Sequence, residues 1–223
     1  KAFFGSFVSG KVFNNDFEKE KWISLNVDLP SAITNIVNSL NSDIWVKNLI
    51  NLTRIDSLKS TNLGNTKLAN FHEMKSNAFL GPHVDHSHEP DTGLPHVLNI
   101  IIYLSHKWNN EDGGATLFHD KNGKEVVTKV EYKPNRAVIF LHTPYSFHSV
   151  ERIKKNIPTT RKSIYVDYYS KSFNPYKNLP LKFSKKWFKH NTTFIFNSSF
   201  DYFKLSNFKY SLTYLKYLLN KFF

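Results

Sequence analysis

Apolar residues along this chain change their period twice. Ile33, Ile36, Val37 and Leu40 recur at helical spacing, as do Trp45, Leu49, Ile50 and Leu52, with Asn41-Ser42-Asp43 between the two runs. The turn Asp28-Leu29-Pro30-Ser31 starts the first helix, with Ser31 as its cap. From Lys67 to Ser170 the period shortens to two. Lys67 to Lys75, Leu98 to Leu104, Thr116 to Phe118, Val126 to Tyr132, Arg136 to His142 and Thr160 to Tyr169 read as strands. Turn formers separate them, among them Asn109 to Gly114 and the hairpin turn Asp120-Lys121-Asn122-Gly123. Strands of similar length recurring with turns between them are the pattern of a jelly roll. Ahead of the helices, Lys1 to Phe13 alternates loosely, as an edge hairpin or leading strand would. Beyond Ser170, Phe208, Leu212, Leu215, Leu219 and Phe222 return to helical spacing and predict a C-terminal amphipathic helix packed on the barrel. A dimer contact or a membrane surface is the other use for such a stripe.

Candidate chemistry lies in Gly81-Pro82-His83-Val84-Asp85. Residues i and i+2 on an extended or tightly turning backbone project to one side, so His83 and Asp85 can reach one metal ion. Gly81-Pro82 makes the turn that aims His83. A third ligand must come from elsewhere, and His148, in Ser146-Phe147-His148-Ser149, is the best candidate. Two imidazoles and a carboxylate leave positions open, which suits a non-haem Fe(II) that must also bind a co-substrate and O2. On the strand Arg161 to Tyr169, one face carries Arg161, Ser163, Tyr165, Asp167 and Tyr169, and the other Lys162, Ile164, Val166 and Tyr168. The chain has 4 Arg against 26 Lys, so an Arg on a strand face needs a reason. A guanidinium grips a carboxylate through two parallel bonds, which Lys cannot do. Arg161, with the Ser163 hydroxyl beside it, could hold the far carboxylate of a dicarboxylic acid whose other end chelates the metal. A surface Arg paired with an acid is the plainer use of the same residue.

The ordered set His83-x-Asp85, Leu98 to Leu104, Trp108, Gly113-Gly114-Ala115-Thr116-Leu117, Pro134 to Phe140, His148 and Arg161-x-Ser163 resembles the 2-oxoglutarate/Fe(II)-dependent dioxygenases, in their prolyl-4-hydroxylase-like branch. The resemblance spans roughly Phe71 to Ser170. It implies a double-stranded β-helix, a cupin-like jelly roll, with Fe(II), 2-oxoglutarate and O2. It implies hydroxylation of an unactivated C–H with succinate and CO2 as co-products but does not imply a substrate, since the branch acts on proteins, small molecules and sugars alike; a proline-like protein side chain or a small metabolite is the expectation. By position, Tyr103 resembles the tyrosine that bonds the distal carboxylate beside the Arg. In related enzymes the strand before His-x-Asp lines the pocket, which makes Asn70, His72, Met74 and Asn77 substrate-side candidates. The loop from Ser87 to Pro95, flanked by His86 and His96, lies next to the metal, and His86, His88, His96 and Asp167 join them. The spacing from His148 to Arg161 is longer than usual in this branch, and Lys154 to Thr159 reads as a lengthened hairpin loop.

Composition narrows the alternatives. An apolar fraction of 40% and an aromatic fraction of 16% fit a folded protein. The 223 residues suit one oxygenase domain over 1–223, with a core of about 67–170, a helical layer of about 28–55 and an extension of about 171–223. With no cysteine, disulfides and Cys-based zinc sites are excluded, and a reducing, cytoplasmic interior is permitted. The chain opens on Lys1, which suggests a processed or excised boundary, and shows neither a secretory signal nor an apolar run near the roughly 20 residues of a membrane span. The net charge of +12 would attract anionic partners, yet the excess is Lys, whereas nucleic-acid surfaces favour Arg. Two rival readings stand beside the oxygenase. One is a non-catalytic jelly-roll module for an acidic glycan or nucleic acid. The other is a zinc-dependent cupin-type enzyme, for which His86, His88 and Glu89 offer an alternative ligand set.

Overall fold

The structure, a computed structural model, describes residues 9–60, 70–175, 189–196, 201, 204 and 207–222. The start of the predicted leading strand (1–8), the polar loop 61–65, residues 67–69 and the Phe222 side chain lie outside the described residues. Strands β1 (Gly10–Phe13) and β2 (Glu18–Ser24) precede helices α1 (Ser31–Leu40) and α2 (Asp43–Thr53). Then follow β3 (Leu58–Ser60), β4 (Phe71–Val84), β5 (His96–Tyr103), β6 (Thr116–His119), β7 (Val126–Val130), β8 (Ala137–Leu141), β9 (His148–Val150), β10 (Arg161–Ser170), β11 (Thr193–Phe194) and α3 (Phe208–Phe222).

Both N-terminal helices form where the 3.6-residue pattern places them. Helix α1 buries Ile33, Val37 and Leu40, and α2 buries Leu49 while Leu52 faces solvent. Their apolar face covers Leu98, Ile100, Ile164, Val166 and Tyr168 on β5 and β10. Each such burial stabilises by roughly 1.5–3 kcal/mol. The Trp45 indole donates to the Tyr168 hydroxyl at 3.0 Å, and that hydroxyl donates to the Leu40 carbonyl at 2.6 Å, so one tyrosine ties both helices to the sheet. The cap differs from expectation. Pro30 holds the N-cap position of α1 without a side-chain bond, and Ser31 is already helical. Pro30 presets the backbone that Ser31 was expected to supply. The capping serine is Ser42, whose hydroxyl accepts from the Trp45 amide of α2.

The strands form a nearly closed antiparallel sheet in the order β7-β6-β9-β4-β10-β5-β8, with β2 and β11 also on β4 and β3 on β10. Strand β4 joins the two leaves of this jelly roll. Its first residues pair with β10 (Met74↔Arg161, His72↔Ser163), and its last pair with β9 (Leu80↔Val150, His83↔His148). Within the second segment, between Leu80 and His83, the register slips. The slip falls at Gly81-Pro82, so the expected turn is a bulge within a continuous strand. Proline cannot donate to the ladder, and an extra residue kinks the strand and re-aims the side chains beyond it. A Cβ on Gly81 would sit 3.3 Å from the Phe17 carbonyl, whose oxygen accepts the Gly81 amide at 2.7 Å. The sheet interior holds Met74, Ile101, Tyr103, Tyr132, Val138 and Val150.

Helix α3 packs on the barrel through another face than the one its leucines predicted. Tyr217 is buried against Phe147, and its hydroxyl donates to the Pro144 carbonyl at 2.7 Å. Tyr214 and Leu218 pack beside it. Phe208, Leu212 and Leu215 point to solvent. The tyrosine face wins because each ring buries a large apolar surface and still finds a polar partner for its hydroxyl. No helix among the described residues is long and apolar enough to cross a membrane.

Candidate active site

The bulge in β4 and the register pair His83↔His148 bring the His-x-Asp run and the third histidine to one end of the barrel. His83 Nε2 stands 3.5 Å from Asp85 Oδ1, and His148 Nε2 stands 3.5 Å from Asp85 Oδ2. The three donor atoms lie within 4.8 Å of one another, and among the described residues no other group of His, Asp and Glu is so placed. His83 Nδ1 donates to the Gly81 carbonyl at 2.8 Å, and His148 Nδ1 to the Ser146 carbonyl at 3.1 Å. A carbonyl only accepts, so Nδ1 carries the proton in both rings and both Nε2 lone pairs face the carboxylate. Burial, with His83 beside it, pushes the His148 imidazole down to about 4, which keeps it a neutral donor at pH 7. Burial raises the Asp85 carboxyl, but the facing imidazoles of His148 and His83 outweigh it and hold the group well below the usual carboxylate range. A neutral His148 imidazole and an ionised Asp85 carboxylate are protonation states that a divalent metal requires.

Arg161 is fully buried on the same interior face as Ser163. Its Nε donates to the Gly114 carbonyl at 2.8 Å, Nη1 to the Ser163 hydroxyl at 3.1 Å and Nη2 to the Thr116 hydroxyl at 3.4 Å. The guanidinium lies 4.9 Å from the centre of the Tyr132 ring and 5.3 Å from that of Tyr103. The Tyr103 hydroxyl shares a 2.6 Å hydrogen bond with Thr116. Among the described residues no carboxylate lies within ion-pair distance of Arg161. A buried guanidinium costs several kcal/mol unless an anion meets it. The backbone at Gly113 and Gly114 is left-handed, at φ 77 and 76°. A Cβ at Gly114 would stand 3.3 Å from the arginine side chain, so only glycine lets that carbonyl come so near.

A cavity of about 330 Å3 opens beside His83 and Asp85 of the triad, lined also by His86, His72, Tyr165 and Asp167 and by Lys21 and Tyr210 of β2 and α3; His148 does not line it. His72 stacks on Tyr165 at 4.1 Å. The other substrate-side candidates divide. Asn70 is buried and exchanges bonds with Asn26 and the Tyr165 carbonyl, outside the cavity. Met74 is buried in the barrel interior. Asn77 sits at a left-handed bend bonded to Arg152. These three do not line the cavity. His96 is buried between His86 and His142, stacked at 4.7 and 4.1 Å, and its Nδ1 donates to the His86 carbonyl. The alternative ligand set is dispersed. His86 Nε2 pairs with the Tyr169 hydroxyl, His88 Nδ1 with the Ser87 hydroxyl, and Glu89 caps the amides of Asp91 and Thr92.

Three contributors escaped the sequence reading. Asn99 Nδ2 donates to Asp85 Oδ2 at 3.0 Å and to Asp167 Oδ1 at 3.2 Å. Thr116 joins Arg161 to Tyr103, and Tyr132 provides the ring beneath the guanidinium. Asn99 shares a strand face with Tyr103, and Thr116 follows the glycine pair, so both carried a weak signal. Tyr132 carried none. A larger groove of about 510 Å3, lined by Phe79, Glu151 and Arg152 among others, contains no triad residue.

The sequence model of the 2OG-Fe(II) oxygenase superfamily matches residues 69–169. No curated protein matches the chain. A prolyl hydroxylase from Trichoplax adhaerens, solved with a hypoxia inducible factor oxygen degradation domain peptide fragment, shares 15% identity at a TM-score of 0.50, over 74% of this chain and 72% of its own. A Pseudomonas putida prolyl-4-hydroxylase shares 15% identity at a TM-score of 0.49, over 73% and 77%. HygX from Streptomyces hygroscopicus, solved with nickel and 2-oxoglutarate, shares 11% identity at a TM-score of 0.47, over 76% of each chain. At 15% identity the likeness to the Trichoplax structure shows a shared fold alone.

Proposed function

Since residues 69–169 belong to the 2OG-Fe(II) oxygenase superfamily, we propose that His83, Asp85 and His148 hold the Fe(II) of this oxygenase and that Arg161, Ser163 and Tyr103 hold the distal carboxylate of its 2-oxoglutarate. The donor set fits the metal: two Nε2 atoms and one carboxylate converge and leave coordination positions free. Iron in that position supplies the activation of O2 coupled to decarboxylation of 2-oxoglutarate, with succinate and CO2 as products and one oxygen atom left for a substrate C–H. The chain supplies the rest. Its imidazoles are locked in one tautomer by backbone carbonyls, and its guanidinium is pre-aimed by Gly114, so little reorganisation is needed when a dicarboxylate arrives.

The observation that carries this reading is Arg161. A fully buried guanidinium with no carboxylate among its described neighbours favours a dianionic co-substrate over a neutral one. It also favours an oxygenase over the two rival readings, since neither a surface-binding module nor a zinc cupin needs an interior cation beside its metal. The chain is read as one oxygenase domain over 1–223. Phe208, Leu212 and Leu215, exposed on α3, support contact between two copies, which sedimentation at several concentrations tests.

The deciding experiment is succinate release by the purified protein, with and without Fe(II) and 2-oxoglutarate. Release that needs both is expected. Turnover that Zn(II) supports equally, or a protein that binds neither component, would sink the assignment.

A further inference from the structure

Among the described residues lining the cavity, Asp167 is the carboxylate that neither the proposed metal nor a lysine accounts for, Glu18 being paired with Lys21. It lies on the interior face of β10 and lines the cavity. Its neighbours on the protein side are Asn99, which donates to Oδ1 at 3.2 Å, His96, with Nε2 3.5 Å from the same oxygen, and His86, with Nε2 4.0 Å from Oδ2. His86 Nε2 is engaged by the Tyr169 hydroxyl at 2.8 Å, and His96 Nδ1 donates to the His86 carbonyl at 3.0 Å. Among the described residues no Lys or Arg pairs with Asp167. Lys21, also on the cavity wall, is already held by Glu18 at 2.7 Å. Lys209 is exposed on α3, at the outer edge of the cavity.

The cost of this arrangement is visible in the carboxyl itself. Burial pushes it up to about 6, so near neutral pH it is an anion that would gain from a cation. Aromatic rings stand around it. Tyr165 lies two residues away on the same face of β10, stacked on His72, and Tyr210 closes the cavity from α3. A carboxylate at the base of an aromatic-walled cavity matches an alkylammonium group, which gains both an ion pair and ring-face attraction.

Resting on the oxygenase assignment above, we propose that Asp167 determines specificity and that the prime substrate carries a protonated amine seated on its carboxylate, within the cavity walled by Tyr165 and Tyr210. Asn99 then acts as a common brace, because one amide nitrogen fixes both the metal-facing Asp85 and the substrate-facing Asp167. The amine thereby sits one side chain away from the metal-facing carboxylate. The amine could belong to a free metabolite or to a lysine side chain, and the two share this recognition chemistry.

The test is equilibrium binding by calorimetry without O2, on protein loaded with Fe(II) and 2-oxoglutarate. The probes are L-lysine, putrescine and an end-capped tripeptide with a central lysine, each against its amine-acetylated form. The free amines should bind at least tenfold tighter than the acetylated forms. Binding of the tripeptide but not of lysine or putrescine would assign a protein substrate, and the reverse a metabolite. Asp167→Asn should abolish the preference, and Asp167→Glu should restore part of it. Equal binding of both forms, failure of all three amines to bind, or a preference that survives in Asp167→Asn would overturn the proposal. Succinate release without prime substrate reads the oxygenase assignment separately, so the two can fail independently.

Discussion

His83 and His148 face each other as a register pair across β4 and β9, with ring centroids 4.3 Å apart. Each ring is tied through Nδ1 to the carbonyl two residues before it, Gly81 for one and Ser146 for the other. The same local device thus sets the same tautomer twice. Replacing His83, Asp85 or His148 by alanine should therefore abolish turnover and cost more Fe(II) affinity than the roughly 10–100-fold typical of losing an outer partner. Far-ultraviolet dichroism should stay that of the folded barrel. Full activity in Asp85→Ala would remove the triad from this account.

Asn99→Ala tests the brace. Without its amide, Asp85 Oδ2 keeps only the facing imidazole, and two carboxylates lose the donor that holds them in place. Fe(II) affinity should fall by roughly 10–100-fold, the usual effect of deleting a group that orients a metal ligand. Metal titration monitored by the quenching of intrinsic fluorescence measures it. An unchanged affinity would mean that Asp85 is positioned by the metal alone.

Arg161→Lys keeps the charge and loses the fork. One charge-assisted bond is worth on the order of 1.5–3 kcal/mol, or roughly ten- to a hundredfold in binding. The apparent constant for 2-oxoglutarate should rise by that factor. Fe(II) affinity should change little, because the Arg161 bonds run to Gly114, Ser163 and Thr116 and not to the triad. If 2-oxoglutarate binds equally well to the variant, another cation holds the carboxylate or the co-substrate is a different acid.

Particular residues show what the sequence could and could not disclose. The alternation of β10 placed Arg161, Ser163 and Asp167 on one face, and Ile164, Val166 and Tyr168 under the helices, because a two-residue period leaves a strand no other choice. His83 and Asp85 were legible as a pair because their convergence is local. Asn70, Met74 and Asn77 were misplaced because long-range partners hold them, Asn26 and the Tyr165 carbonyl for Asn70, the barrel core for Met74 and Arg152 for the left-handed Asn77, and no periodicity encodes those partners. The packed face of α3 was misread for a related reason. Leucines at helical spacing outranked tyrosines in the pattern, but the barrel offered the Tyr217 hydroxyl a carbonyl at Pro144, a long-range fact. The cavity rim, built from β2 and α3, lies outside the motif-bearing region, so Lys21 and Tyr210 had no local signature at all.

Helix α3 separates the two faces experimentally. Tyr217→Phe loses a buried hydrogen bond and should cost roughly 0.5–1.5 kcal/mol, while Tyr217→Ala opens a cavity and should cost roughly 3–5 kcal/mol. Leu212→Ala, on the exposed side, should stay within about 0.5 kcal/mol. Urea unfolding at fixed protein concentration measures all three. A large loss in Leu212→Ala would show that the outer row is covered in solution, as in a dimer.

Acid should unfold the metal-free protein early, and the histidines decide the window. Burial pushes His86, His148 and His190 down to about 4 and His88 to about 3, from an ordinary value near 6.5. The unfolded chain therefore takes up protons that the folded chain refuses. The stability these neutral rings contribute is complete above pH 6.5 and drains as the pH falls toward 4. At pH 5 each of the first three has already forfeited roughly 2 kcal/mol relative to pH 7, at about 1.36 kcal/mol per pKa unit. Asp167 works in the opposite direction. Its carboxyl, raised to about 6, carries a penalty when ionised that is relieved between pH 6 and the usual carboxylate range. One carboxyl cannot offset several imidazoles in a domain whose whole stability is of the order of 5–15 kcal/mol. The urea midpoint should thus fall steeply between pH 6.5 and 5. Asp167→Asn should steepen that fall, because it removes the group that gains on acidification. A midpoint flat from pH 7 to pH 5 would mean that the histidines titrate normally in the folded protein, and that the imidazole cluster around the site is wetter than its packing indicates.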